Sequence, residues 1–238
     1  VLKTSFPDSS WIAPECVPDG TYPHKMVLQE TPPLEFSEVK PVMWKVGGVG
    51  ALLYDFGKEI VGSAVIKLDV PAGTLIEVRH AEELDSLGRA KFRLRANCDY
   101  QEFCTTSASG ESMEFFDYKG FRYMWLIGNV DPLTANVSVI SRHYPFNDSA
   151  ASLESSDTRL NGIWEICRQA VKVGTQDSYL DCPTREKGAY LGDAVVTGLA
   201  HLHLTGDSRI IRKDFLHYAR AAGKMKVRKS GDYRIAEI

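Results

Sequence analysis

The chain has 238 residues, 44% of them hydrophobic, and a formal net charge of −3 at pH 7. That length holds one large domain or two small ones, the apolar share is ordinary for a soluble globular protein, and the slight acidity argues against attraction to nucleic acid. No stretch approaches the roughly 20 apolar residues of a membrane helix, and no charged-then-apolar leader opens the chain, which begins at Val1 rather than Met; a fragment start is the expectation.

Residues 1–46 hold Pro7, Pro14, Pro18, Pro23, Pro32, Pro33 and Pro41 with little periodicity. This predicts an irregular segment or linker from an upstream domain. From Gly50, β-branched and aromatic residues alternate with turn residues, predicting strands at 51–56, 59–69, 75–82, 99–105, 112–117, 121–127 and 136–143. Turns are expected at Pro71-Ala72-Gly73, Ser109-Gly110 and Lys119-Gly120, and a long loop at 85–97. Short strands at this spacing predict an antiparallel β-sandwich over 47–147.

After Asn147 the period changes. Ser155-Ser156-Asp157 offers helix-cap chemistry, and Leu160, Ile163, Trp164, Cys167, Ala170 and Val171 follow at helical spacing. A second helix is expected from Asp193 to about Leu204, and a third, capped by Asp207, from about Ser208 to Ala222. Strands first and helices afterwards predict two domains, the helical one over 148–238. The stretch from Gly223 onward is basic and has no apolar stripe.

Five cysteines, Cys16, Cys98, Cys104, Cys167 and Cys182, are an odd number without a C-x-x-C, which supports neither a zinc site nor a disulfide framework. Most are expected to be small buried apolar residues; a Cys98–Cys104 bridge stays open as an alternative. His201 and His203 would lie on opposite helix faces, because two residues turn a helix by roughly 200°, so no metal pair is expected there. His80 and His143 are expected to be hydrogen-bonded residues on strands, and Phe115, Phe116, Tyr118, Phe121, Tyr123 and Trp125 to pack the sandwich core. Gly47-Gly48-Val49-Gly50 lacks the lysine and following helix of a phosphate loop. Arg209, Arg212, Lys213, Arg220, Lys224, Lys226, Arg228 and Lys229 are not accompanied by aromatic interleaving, so a solvated helix face and tail is expected rather than a nucleic-acid patch. No cofactor is implied.

The stretch 177–193, DSYLDCPTREKGAYLGD, is too polar for core. Pro183, Gly188 and Gly192 argue for an ordered loop. Asp181, Glu186 and Asp193 are concentrated there beside Arg185 and Tyr190. This composition suits a polyhydroxylated ligand, since carboxylates accept hydrogen bonds from sugar hydroxyls and an aromatic ring covers an apolar sugar face. On composition alone, a solvated surface loop is the commoner meaning of such a stretch.

The run D-C-P-T-R-E-K-G-A-Y-L-G-D at 181–193 resembles the signature of the bacterial α-L-rhamnosidases, in which Asp-Cys-Pro-x-Arg is followed by an acid, an aromatic and Gly-Asp; Tyr190 stands where tryptophan is usual. D-F-G-K-E-I-V-G at 55–62, P-A-G-T at 71–74, H-A-E-E-L at 80–84 and Y-K-G-F-R-Y at 118–123 resemble the β-domain that precedes that family's catalytic barrel. The resemblance runs in order over roughly residues 41–222. It implies an antiparallel β-sandwich followed by the first helices of an (α/α)6 barrel of six helical hairpins. It also implies inverting hydrolysis of terminal α-L-rhamnose from glycosides and polysaccharides, by a general acid and a general base roughly 6.5–9.5 Å apart. Glu186 matches the general acid, with a pKa expected to be raised by burial or by Asp181 and Asp193. Asp181, Arg185, Tyr190 and Asp193 are implied to bind substrate. The general base would come from beyond Ile238. About three barrel helices are present, which implies partly uncovered Leu160, Ile163, Trp164, Val195, Leu199 and Leu202. A helical part that is mobile, repacked or self-associated, and an inactive chain, are then expected. A secreted or periplasmic setting is implied. A non-catalytic carbohydrate-binding module and a truncated remnant are the alternative readings.

Overall fold

The computed structural model describes residues 9–18, 21, 27–48, 50–108 and 110–224, with side chains through Arg220. Ser109 of one expected turn and the basic tail from Met225 lie outside the described residues.

A curled antiparallel sheet of eight strands comes first: β1 (Glu35–Val39), β2 (Met43–Gly48), β3 (Ala51–Lys67), β4 (Leu75–Ala81), β5 (Gln101–Thr105), β6 (Ser112–Glu114), β7 (Lys119–Ile127) and β8 (Asn136–His143). Strand β3 is the spine. Its first half pairs with β2 and β7, and its second half with β8 and β6. Because neighbours change along one strand, the sheet bends over itself in a sandwich-like way. Leu52, Tyr54 and Phe56 of the first half then meet Ala64 and Ile66 of the second in one core with Phe121, Met124 and Leu126. Alternation sends Ala51 to the opposite face, where it packs with Ala81, Trp125 and Ala90 of the long loop. With both faces covered, Ala51–Phe56 is buried without a break.

The two strands predicted at 51–56 and 59–69 are thus one. A register shift between Asp55 and Ile60, with Gly57 at φ 78°, makes a bulge rather than a break. Asp55 fastens it. Its carboxylate accepts from the Gly57 amide at 2.7 Å and from two Arg122 nitrogens at 2.8 and 2.9 Å. The Arg122 hydrogen bonds hold the Asp55 carboxyl below the usual carboxylate range. The segment 1–46, expected to be irregular, contains β1 and most of β2; β1 pairs with β8 and β2 with β3. Their side chains are mostly exposed, so neither carries the apolar alternation that would have revealed it. Lys119-Gly120, expected as a turn, opens β7 and pairs with Gly62 and Val61.

Three helices follow: α1 (Thr158–Gly174), α2 (Leu191–Thr205) and α3 (Arg209–Lys224). Asp157 and Asp207 cap α1 and α3, each accepting from the amide two residues on at 2.9 Å. Gly206, left-handed at φ 73°, ends α2. Tyr144 after β8, Tyr179, Ala194 of α2 and Ile210 of α3 form a second core that joins helices to sheet. Leu160, Ile163, Val195 and Leu199 are exposed, as are Ile166 and Val196, while Trp164 and Leu202 are half-buried.

His201 is buried and His203 exposed, on opposite faces as expected. Other expectations need correction. All five cysteines are free, and none is buried: Cys16 and Cys167 are exposed, and Cys98, Cys104 and Cys182 are intermediate. Phe121 and Trp125 are buried, but Phe116 is fully exposed. His143 contacts the Tyr144 carbonyl at 2.7 Å through Nδ1, whereas His80 is buried with no hydrogen bond to Nδ1 among the described residues.

Candidate active site

The loop between α1 and α2 is built in stages. The Asp214 carboxylate of α3 accepts from the Ser178 hydroxyl at 2.7 Å and the Tyr179 amide at 3.0 Å, which fixes the entry. Two hydrogen bonds then close the loop on itself: Asp181 N–H to the Gly188 carbonyl at 2.9 Å, and Gly188 N–H to Asp181 Oδ1 at 2.8 Å. Thr184 is buried, and its carbonyl accepts the Tyr100 hydroxyl from the sheet. Gly120 permits this docking. A Cβ there would lie 2.9 Å from Thr184 Cγ2 and 3.2 Å from both Pro183 Cγ and Glu59 Oε1.

Glu186 is exposed on this loop. The Arg185 guanidinium donates to its Oε1, and the Tyr190 hydroxyl donates to its Oε2 at 3.0 Å. Tyr190 is the N-cap residue of α2, 44% exposed, and a Cβ on Gly188 would meet its ring at 2.4 Å. That glycine therefore lets the ring lie across the loop. The hydrogen bond to Glu186 raises the Tyr190 phenol above its ordinary value, with the charges of Glu186 and Asp181 adding to it and Arg185 opposing. Asp193 lies in the first turn of α2, half-buried, and its charge is felt at Tyr218 of α3. Lys187, next to Glu186, has φ 52°. The left-handed region costs a residue with a Cβ about 1–2 kcal/mol, which its surroundings must offset.

Beneath the loop, a cleft of about 670 Å3 separates the sheet from α1. Asp181, Cys182 and Pro183 line it with Glu59, Glu82, Arg122, Arg168 and Gln169. The β3 bulge presents Glu59 here, and its carbonyl accepts from Gln169 Nε2 of α1 at 2.7 Å. Burial, and secondarily Glu82, push the Glu59 carboxyl up to about 8. Burial also raises Glu82, against a hydrogen bond from Thr184 that lowers it.

Four of the five candidates, Asp181, Arg185, Glu186 and Tyr190, therefore share one small loop, and Asp193 follows on the helix it leads into. Glu186 has Arg185 and Tyr190 as its hydrogen-bonding partners rather than Asp181 or Asp193, and of the five candidates Asp181 alone lines the cleft. Sequence reasoning missed Glu59 and Glu82 of the cleft, and Tyr100 and Gly120 against which the loop docks. A signal existed: Glu59, Glu82 and Gly120 lie within motifs that carry the family resemblance of the β-domain.

The model for the bacterial alpha-L-rhamnosidase concanavalin-like domain matches residues 47–143, and that for the bacterial alpha-L-rhamnosidase 6 hairpin glycosidase domain matches residues 148–224. The chain belongs to the bacterial α-L-rhamnosidases. An alpha-L-rhamnosidase of Formosa agariphila is 27% identical over 202 residues, 81% of this chain and 21% of that protein. The structure of the alpha-L-rhamnosidase from Aspergillus terreus superposes with a TM-score of 0.72 at 21% identity, over 92% of this chain and 26% of that one. The Streptomyces avermitilis alpha-L-rhamnosidase complexed with L-rhamnose does so at 0.68 and 22%, over 83% and 19%. The two structural likenesses establish the fold. The chain spans about a fifth of the length of the curated relatives it matches.

Proposed function

We propose that this chain carries the acid-bearing half of a rhamnosidase site, acting on terminal α-L-rhamnose of a glycoside or polysaccharide outside the cytoplasm. One observation carries the reading. Asp181, Arg185, Glu186 and Tyr190 are held together on a loop closed by its own hydrogen bonds, at the entry to the helical region of a rhamnosidase family member. Glu186 is the proposed general acid, protonating the departing oxygen while a second carboxylate, outside this chain, activates water from the opposite face. Its exposure gives a leaving group direct access. Arg185 and Tyr190 orient its two oxygens. Asp181 gives one oxygen to the loop closure and the other to the Cys182 thiol at 3.3 Å, and it lines the cleft; Asp193 extends the polar surface toward α3. Both are proposed to accept hydrogen bonds from rhamnose hydroxyls. Direct attack by water from the face opposite the departing oxygen inverts the anomeric centre. With this chain continued through a complete six-hairpin domain, proton NMR of a p-nitrophenyl α-L-rhamnoside digest is expected to show β-rhamnose before mutarotation. The α-anomer as first product would overturn the inverting assignment.

A further inference from the structure

We propose that Lys187 is a positioning residue for Glu186, clamping the acid-bearing loop to the turn between β6 and β7. The inference rests on the reading of Glu186 as the acid.

The loop is pinned on both sides of Glu186. Ahead of it, the Thr184 carbonyl is taken by Tyr100 of the sheet. Behind it, the Gly188 amide is taken by Asp181. Between these points, Lys187 adopts the left-handed backbone at φ 52°, a conformation that persists in a residue with a Cβ only where surrounding contacts impose it. Three hydrogen bonds and a ring contact impose it. The Lys187 ammonium donates to both oxygens of Asp117, at 2.8 and 3.0 Å, and to the Tyr118 carbonyl at 2.6 Å. It also stands 4.2 Å from the centroid of the Tyr118 ring, which Arg142 approaches at 4.4 Å. A lysine on a solvated loop keeps its head in water; this one is 20% exposed.

The anchor is itself anchored. Asp117 is 3.5 Å from the buried Lys119 ammonium, which pairs with Glu102 at 3.0 Å. Charges therefore alternate from the sheet to the loop: Glu102, Lys119, Asp117, Lys187. With Lys187 held at the turn, the neighbouring Glu186 has Arg185 and Tyr190 as donors to its two oxygens. An acid that must reach one glycosidic oxygen benefits from such fixing, since small misplacements of a proton donor cost rate steeply.

Tyr190 reports on this geometry without any substrate. Its phenol is raised by its hydrogen bond to Glu186. Removing the Lys187 cation would by itself raise a nearby phenol further, whereas displacing Glu186 would lower it, so the sign of the change separates charge from position. The experiment is a 13Cζ-tyrosine NMR titration of this chain, with Tyr190→Phe to assign the signal. Wild type is compared with Lys187→Met, Lys187→Gln and the control Glu186→Gln. The Lys187–Asp117 pair is partly solvent-exposed, so its loss is expected to leave the fold intact, as a dispersed methyl spectrum would show; Lys187→Gln, which also removes the cation, serves if Lys187→Met does not fold. The expected result is a downward shift of the Tyr190 midpoint toward the ordinary phenol value in both clamp variants, matching Glu186→Gln. A midpoint that stays raised or climbs in a folded clamp variant overturns the proposal. Because no sugar is present, failure of the rhamnosidase reading would appear in hydrolysis and leave this titration unmoved.

Discussion

Asp55 shows how one side chain shapes the molecule. It accepts three hydrogen bonds at the bulge of β3, two of them from Arg122, and is 8% exposed. Replacing Arg122 with methionine leaves the carboxylate with the Gly57 amide alone. The expected loss is about 1–3 kcal/mol of stability, by the usual value of charged hydrogen bonds, measured by urea unfolding. The pH dependence has a definite sign. A carboxyl lowered in the folded state contributes stability above its unfolded value near 3.8, and that contribution disappears as pH falls through the lower folded value. Arg122→Met is therefore expected to flatten the acid limb of the stability profile; an acid limb as steep as that of wild type would show that Asp55 does not titrate with folding. Neither role was legible in the sequence. D-F-G-K-E-I-V-G carries the family resemblance but predicts a strand break at its glycine, because a bulge and a turn use the same residue there.

At the scale of elements, the seam between sheet and α1 explains why the quoted motifs lie far apart along the chain. Glu59 from the β3 bulge, Glu82 after β4, Gly120 of β7 and Lys187 of the loop meet in one region. Glu59 is held up to about 8 by burial and Glu82, so it takes up a proton on folding. Stability from that proton is present below about pH 4.5 and is lost as pH rises toward about 8. Glu59→Gln keeps the shape and removes the titration. It is expected to be more stable than wild type at pH 9 and to show a flatter profile between those limits; equal slopes would place Glu59 in water. Gly120→Val is expected to push Pro183 and Thr184 off β7, because even a Cβ meets Thr184 at 2.9 Å. Its signature would be faster hydrogen exchange at the Gly188 amide, with the sheet's core amides unchanged. The helices themselves were legible, since caps at Asp157 and Asp207 and a 3.6-residue period mark them directly. Strands β1 and β2 were not, because exposed edge strands carry no alternation to read.

For the whole molecule, the sheet has a closed core and the helices do not. Phe121 is fully buried between Phe56, in an edge-to-face contact at 5.6 Å, and His80 at 4.5 Å. Phe121→Ala is expected to cost about 3–5 kcal/mol. Ile163, Ile166, Val196 and Leu199, by contrast, stand in solvent, and alanine at these positions is expected to change stability by less than about 0.5 kcal/mol, as for ordinary surface sites. The β-then-α order and the acid loop could be read from residues and resemblance together. The way the loop is held could not, because it depends on contacts between residues far apart in sequence, such as Lys187 with Asp117 and Tyr100 with Thr184.

The proposed role of Glu186, as the acid of a rhamnoside-cleaving site whose partner base lies outside this chain, has a direct test. Release of p-nitrophenol from its α-L-rhamnoside tests it, using this chain alone, the chain continued through a complete six-hairpin domain, and Glu186→Gln in that longer form. Turnover is expected in the continued wild-type form alone. Glu186→Gln is expected to lose at least about 100-fold, the lower end of what a general acid contributes. Turnover by the 238-residue chain on its own, or a folded Glu186→Gln form as active as wild type, would contradict it.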